Sequence, residues 1–211
     1  MENFFHQDKL PEIVFGTSDP TMARQISRLE KSGALLKIAP RLYTSNITEE
    51  PATIVRRNLY RILGHLFPGA ILSHRSAFEF VPGPDGSLFL TYKYTKKSTL
   101  PGITLRFIEG PEPLEGDNPL AEGLYASQKA RAILENLQTS RKSDGATKTL
   151  DTRQIESKLD EIIRVHGEDG INQLRDEARI IAKKLAWEGE FEKLEQLIGA
   201  FRLRGLRVSV V

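Results

Sequence analysis

At 211 residues, 39% hydrophobic and 27% charged, the chain can bury an ordinary core in one large domain or two small ones. Thirty basic residues against 28 acidic leave a formal charge of +2, which excludes nucleic-acid binding by net charge alone and confines any such contact to local patches. The absence of cysteine removes disulfides, thiolate zinc sites and a cysteine nucleophile. No apolar run approaches about 20 residues and no signal-peptide pattern opens the chain, so the expectation is a cytoplasmic protein without membrane contact.

The patterning predicts an α+β fold in three parts: an N-terminal winged-helix-like element over residues 1–48, a mixed α/β middle domain over 52–140, and a helical appendage over 150–201. The first part has room for one short helix, residues 3–10, before Pro11, so the support ahead of the recognition helix is expected to be shortened. A helix over 20–32 follows, capped by Ser18 or Asp19, with Pro20 at the position where a missing N–H is no loss. Met22, Ile26 and Leu29 recur at helical spacing and form its inward stripe. Arg24, Gln25, Arg28 and Lys31 fall on the other faces, and arginine and glutamine are the side chains that grip guanine and adenine edges in pairs of hydrogen bonds. Gly33 ends the helix, and two β-prone runs, 34–38 and 41–44, are joined by Ala39-Pro40 as a wing whose Lys37 and Arg41 reach toward phosphates. An ordinary amphipathic helix would carry the same solvated charges. The order helix, glycine, hairpin tips the reading toward DNA.

After the polar stretch ending at Pro51, a single helix is predicted over 52–66, with Ile54, Val55, Leu59, Ile62 and Leu63 inward and a second basic face of Arg56, Arg57 and Arg61. Strands are predicted at 70–73, 87–94 and 103–108, with a short helix at 74–80 opened by Ser73. The acidic, Gly- and Pro-rich segment 109–122 reads as a surface loop, 127–137 as a helix and 139–149 as a polar linker. The tail from Asp151 to Phe201 reads as three helices broken at 166–170 and 187–189, while residues 202–211 show no helical pattern and are expected as an edge strand or a disordered end.

No catalytic constellation emerges. His74, Arg75 and Ser76 form the best cluster, because a helix start can hold an anion and a neighbouring histidine can take a proton. The plainer reading, a capped helix start with His74 partly exposed and structural or anion-contacting, is preferred because no third member of a triad can be identified. His6, His65 and His166 lie in different predicted elements, so no zinc site is expected, and the phosphate loop, dinucleotide and HExxH patterns are absent. No enzyme activity, metal or cofactor is predicted.

Three segments, LEKSGALLKIAPRLYTSN (29–46), ATIVRRNLYRILGHLFPGAILSHRSAFE (52–79) and LYASQKARAILENL (124–137), resemble the AbiEi-type transcriptional regulators, the antitoxins of type IV toxin–antitoxin systems. The most similar sub-type is the regulator-like region ahead of Fic domains in bacterial cell filamentation proteins. The resemblance implies an N-terminal winged helix followed by an α/β domain in which a strand leads into a Ser-His-x-Ser-Ala turn, here Ser73 to Ala77. The HxFx(D/E)GN(G/K)R motif of Fic adenylyl transfer is absent, and the chain ends where a Fic domain would begin, which fits either a fragment or a stand-alone regulator. The leading expectation is a bacterial DNA-binding regulator of its own promoter. The alternative is an interaction module that restrains or positions a toxin or Fic-type enzyme without touching DNA.

Overall fold

The structure, a computed structural model, describes residues 10–139 and 146–208 and is of the α+β class. It begins with a three-stranded antiparallel sheet, β1 (Ile13–Phe15), β2 (Leu36–Ala39) and β3 (Leu42–Thr44), in the order β1-β3-β2. Helix α1 (Pro20–Lys31) is inserted between β1 and β2, and the Asp19 carboxylate caps it by accepting from the Met22 N–H at 2.7 Å. Strand β1 is not among the predicted elements, since three apolar residues after Pro11 are too short to declare a period. Residues 3–9 of the helix predicted ahead of it lie outside the described residues.

The small sheet is covered on both faces, as the alternation along its strands requires. Val14 and Tyr43 point to α1, where Ile26 and Leu35 complete a small cluster. Ile13, Phe15 and Leu42 point the other way, to α2 (Pro51–Arg57) and α3 (Leu59–Leu66). Those helices correct the single helix predicted over 52–66. The chain leaves helical geometry at Asn58 (φ −105, ψ 10), whose side-chain amide donates to the Ile54 carbonyl at 2.9 Å and to Glu12 at 2.7 Å. Asparagine competes with the backbone ladder in this way wherever a second partner fixes its amide.

The middle sheet has six strands, β4 (Ala70–Leu72), β5 (Ser87–Tyr92), β6 (Lys96–Leu100), β7 (Ile103–Glu109), β8 (Asn118–Ala121) and β9 (Leu124–Ala126), in the order β6-β7-β5-β4-β9-β8. It is mixed, with β5/β7 and β4/β9 parallel and the remaining neighbours antiparallel. The predicted strands are present; β6, β8 and β9 are additions, and β8 lies inside the segment expected as an acidic loop. Helices α2 and α3 cover one face through Ile54, Val55, Ile62 and Leu63, against Leu88, Leu90, Leu105 and Phe107. Each such side chain contributes about 1.5–3 kcal/mol relative to exposure. Helix α3 approaches the β8–β9 hairpin so closely that a Cβ on Gly64 would lie 2.1 Å from the Glu122 carbonyl oxygen. Ile13 and Leu42 share this core, so buried apolar contact runs without a break from the N-terminal sheet into the six-stranded one.

Helices α4 (Ser76–Glu79) and α5 (Lys129–Leu137) complete this part of the chain, and α5 is enclosed between the sheet and the tail, with Ala130 to Asn136 all buried. The tail is α6 (Thr152–Leu185) and α7 (Glu188–Val208), packed on α5 through Ile155, Leu159, Leu174, Ala178, Leu194 and Ile198. Two helices stand where three were predicted. The first expected break survives as a kink, since Gly167 has φ 65 and ψ −161 inside α6, and the second falls at Ala186 (φ 56). Residues 202–208 continue α7, correcting the edge strand or disordered end over that part of 202–211, and residues 209–211 lie outside the described residues; leucine and arginine are strong helix formers and need no amphipathic period to extend a helix already begun. Among the described residues no helix is long and apolar enough to cross a membrane.

Candidate functional site

Helix α1 places Arg24, Arg28 and Lys31 on one exposed face, at steps of four and three residues, opposite the stripe of Met22, Ile26 and Leu29 that meets the sheet. None of the three forms an ion pair among the described residues. Gln25 is half-buried beside them and is engaged in an interaction of its own. Lys37 is exposed on β2 directly across from Tyr43, and so projects on the side of the sheet that carries α1. Lys37 and helix α1 therefore lie on the same side of the small sheet.

The other predicted cations do not join them. Arg41 sits at the hairpin turn in the left-handed region (φ 60), its backbone carbonyl accepts from the Gly16 N–H at 2.8 Å, and its guanidinium donates to the Gly16 carbonyl at 3.3 Å. It ties the hairpin to the end of β1, and its side chain is exposed at the tip of the hairpin. The exposed Arg57 guanidinium forms ion pairs with both Glu12 and Glu49. Those hydrogen bonds hold the Glu12 carboxyl at about 2, well below its ordinary value, and push the Arg57 guanidinium further up. Arg56 and Arg61 are exposed, with Arg61 5.8 Å above the Phe15 ring. Since Phe15 points away from α1, these two arginines and the α1 stripe lie on opposite sides of the small sheet.

The cluster His74, Arg75 and Ser76 proves to be internal support rather than an open anion site. His74 is 2% exposed, not partly exposed, and takes φ 55 as the chain turns from β4 into α4. Its N–H donates to Glu135 at 2.9 Å, its Nδ1 lies 3.0 Å from Ser73 Oγ, and its Nε2 is buried without a hydrogen-bond partner among the described residues. Burial, with the Lys148 charge nearby, lowers the imidazole to about 3, so it is neutral. Arg75 is paired with Glu79 and donates to the Thr147 carbonyl at 3.4 Å, and the buried Ser76 hydroxyl accepts from the Phe89 N–H at 3.0 Å. The expected cap by Ser73 is absent because α4 begins two residues later than the predicted helix.

Glu135 leads to a group that sequence reasoning missed. Arg131 on α5 is fully buried, paired with Asp117 and with Glu135, the latter at 2.9 Å, and donates to the carbonyls of Glu112 and Pro111 at 3.3 and 3.2 Å. Ser127 donates to the same Glu135 carboxylate, which burial pushes up from its ordinary value. The signal was present as an i, i+4 Arg–Glu pair, but solvent-exposed pairs look identical in sequence. All of its donors and acceptors are turned inward, binding α5 to the loop before β8 and to the β4–α4 turn. Among the described residues no three His, Asp or Glu side chains converge as a metal site.

An external groove of about 690 Å³ lies between the α2–α3 junction and the segment from Phe80 to Gly86. No family model, curated protein or solved structure matches the chain.

Proposed function

We propose that the chain binds double-stranded DNA through the outer face of α1 and acts as an antitoxin-like transcriptional regulator of its own promoter, with the N-terminal unit working as a reduced winged helix. The observation that carries this reading is the stripe of Arg24, Arg28 and Lys31, three exposed cations without ion pairs among the described residues, on a helix whose opposite face is fixed to a sheet. Arginine forks at this spacing reach the base edges of a major groove, and Lys37 beside them neutralises a phosphate. The likeness of residues 29–46, 52–79 and 124–137 to AbiEi-type regulators supports the same reading.

A mobility shift with the gene's own upstream region and with random duplex tests it. Arg28→Ala should lose about 1–3 kcal/mol on the cognate fragment and little on random DNA, whereas Lys37→Ala should weaken both and flatten the salt dependence. No shift at micromolar protein, at low or moderate salt, refutes DNA binding. A second reading, an interaction module for a toxin or Fic-type enzyme, is supported by the groove at the α2–α3 junction.

A further inference from the structure

We infer that the groove between the α2–α3 junction and the Phe80–Gly86 segment docks an acidic peptide segment of a partner protein, with an apolar side chain seated on Phe80 and Val81 and its carboxylates held by Arg56 and Arg61. One wall carries Arg56, Tyr60 and Arg61, the other Phe80, Val81 and Pro82. Arg56 and Arg61 are exposed and form no ion pair among the described residues, while Arg57 between them is committed to Glu12 and Glu49. The groove thus offers two uncompensated cations beside an apolar wall.

That wall is maintained against the preferences of its residues. Phe80 ends α4 in the left-handed region (φ 57, ψ 5), a conformation that favours glycine and is an outlier for a bulky side chain. Burial does not offset the strain, since Phe80 is 40% exposed and the next residue, Val81, is 58% exposed. The Tyr60 hydroxyl donates to the Phe80 carbonyl at 2.5 Å and clamps the segment to α3, and Pro82 and Pro84 restrict the backbone beyond it. Backbone strain of this kind concentrates at ligand clamps and switch sites, and exposed apolar residues rimmed by polar ones mark interaction surfaces. Arg61 is also pre-positioned by the Phe15 ring beneath it, which reduces the ordering cost of binding.

The choice of occupant rests on the apolar residues. Single-stranded nucleic acid binds on successive flat aromatic faces. Here the exposed Phe80 ring adjoins a branched aliphatic side chain and two prolines, and the groove's other aromatic, Tyr60, is half-buried with its hydroxyl committed to the Phe80 carbonyl, a surface suited to a leucine, phenylalanine or tryptophan side chain rather than to stacked bases. Carboxylates are the matching charge for two arginine forks at its rim.

The test is fluorescence anisotropy of the full chain with a panel of short fluorescein-labelled peptides in which aspartate and glutamate alternate with leucine, phenylalanine or tryptophan. Saturable binding by peptides of this composition is expected, weakening with salt. It should weaken about tenfold or more in the Arg56→Ala/Arg61→Ala double variant and in Phe80→Gly. Glycine accepts the left-handed backbone, so Phe80→Gly should keep or raise the melting temperature while losing affinity; Val81→Ser, at an exposed position, gives the same loss of affinity independently. Arg28→Ala should leave peptide binding unchanged, so failure here and failure of DNA binding are separable. Any of four results overturns the inference: no saturable binding across the panel, equal binding of lysine-substituted peptides, affinity unaffected in Phe80→Gly and Val81→Ser, or tight binding of an oligothymidylate lost in those same variants.

Discussion

Replacing Arg131 by methionine removes the one cation at the centre of the buried network on α5. The guanidinium has no exposed surface and serves four acceptors: Asp117, Glu135 at 2.9 Å, and the carbonyls of Glu112 and Pro111. In the variant two carboxylates remain buried with their other hydrogen bonds, from Leu114 and Gln128 to Asp117 and from His74 and Ser127 to Glu135, but without the guanidinium bonded to both, leaving only the half-buried Lys148 charge near Glu135. Breaking a buried pair by removing one partner costs about 3–5 kcal/mol. Protonation of Glu135, already pushed up by burial, recovers part of that, so the net loss at pH 7 should be about 4 kcal/mol, out of a total stability of about 5–15 kcal/mol. For a chain of this size that corresponds to a melting temperature lower by about 8–16 °C. A carboxyl whose folded pKa is raised contributes stability below its unfolded pKa and loses it as pH rises through the folded value. The deficit should therefore narrow from pH 8 to pH 5. Urea denaturation of Arg131→Met and the parent at both pH values is the assay. A deficit below about 1 kcal/mol, or one indifferent to pH, would refute the assignment of Arg131 as the required counter-charge.

Three further outcomes are expected. With the His74 imidazole held at about 3 in the fold and free to protonate at its ordinary 6.5 in the unfolded chain, its contribution is complete above pH 6.5 and falls by up to about 1.4 kcal/mol per pH unit below that. His74→Gln should remove this slope from urea midpoints measured between pH 7.5 and 5.5 (about two units), and parallel curves for variant and parent would contradict it. Arg57→Ala should let the Glu12 carboxyl rise from about 2 toward its ordinary 4.5, read by carbon-detected NMR titration; an unmoved titration would mean that Arg57 is not its main partner. Gly64→Ala, which drives a Cβ to 2.1 Å from the Glu122 carbonyl, should cost about 3 kcal/mol in urea denaturation, and a neutral result would show that α3 and the β8–β9 hairpin can separate.

Local signals alone determined several elements of this protein. Asp19, Pro20 and the Met22, Ile26, Leu29 stripe specify α1 and turn Arg24, Arg28 and Lys31 outward, because a cap and a helical period act within a turn or two of the chain. The strand-like runs at 87–94 and 103–108, each following a proline- and glycine-containing turn, marked β5 and β7, and Gly167 marked the kink in α6. What only the tertiary structure decided depends on partners far along the chain. Arg57 reads as an unpaired surface cation until Glu12, 45 residues earlier, is folded against it. Arg131 reads as half of a surface pair until Asp117 and the carbonyls at 111 and 112 close over it. Strand β6, with exposed lysines, becomes a strand by pairing at the edge with β7, and His74 becomes a buried neutral group because α5 and the 146–150 segment meet over β4. A side chain's type and spacing state what it can do in water; whether it remains in water is settled by which distant surface the fold brings against it.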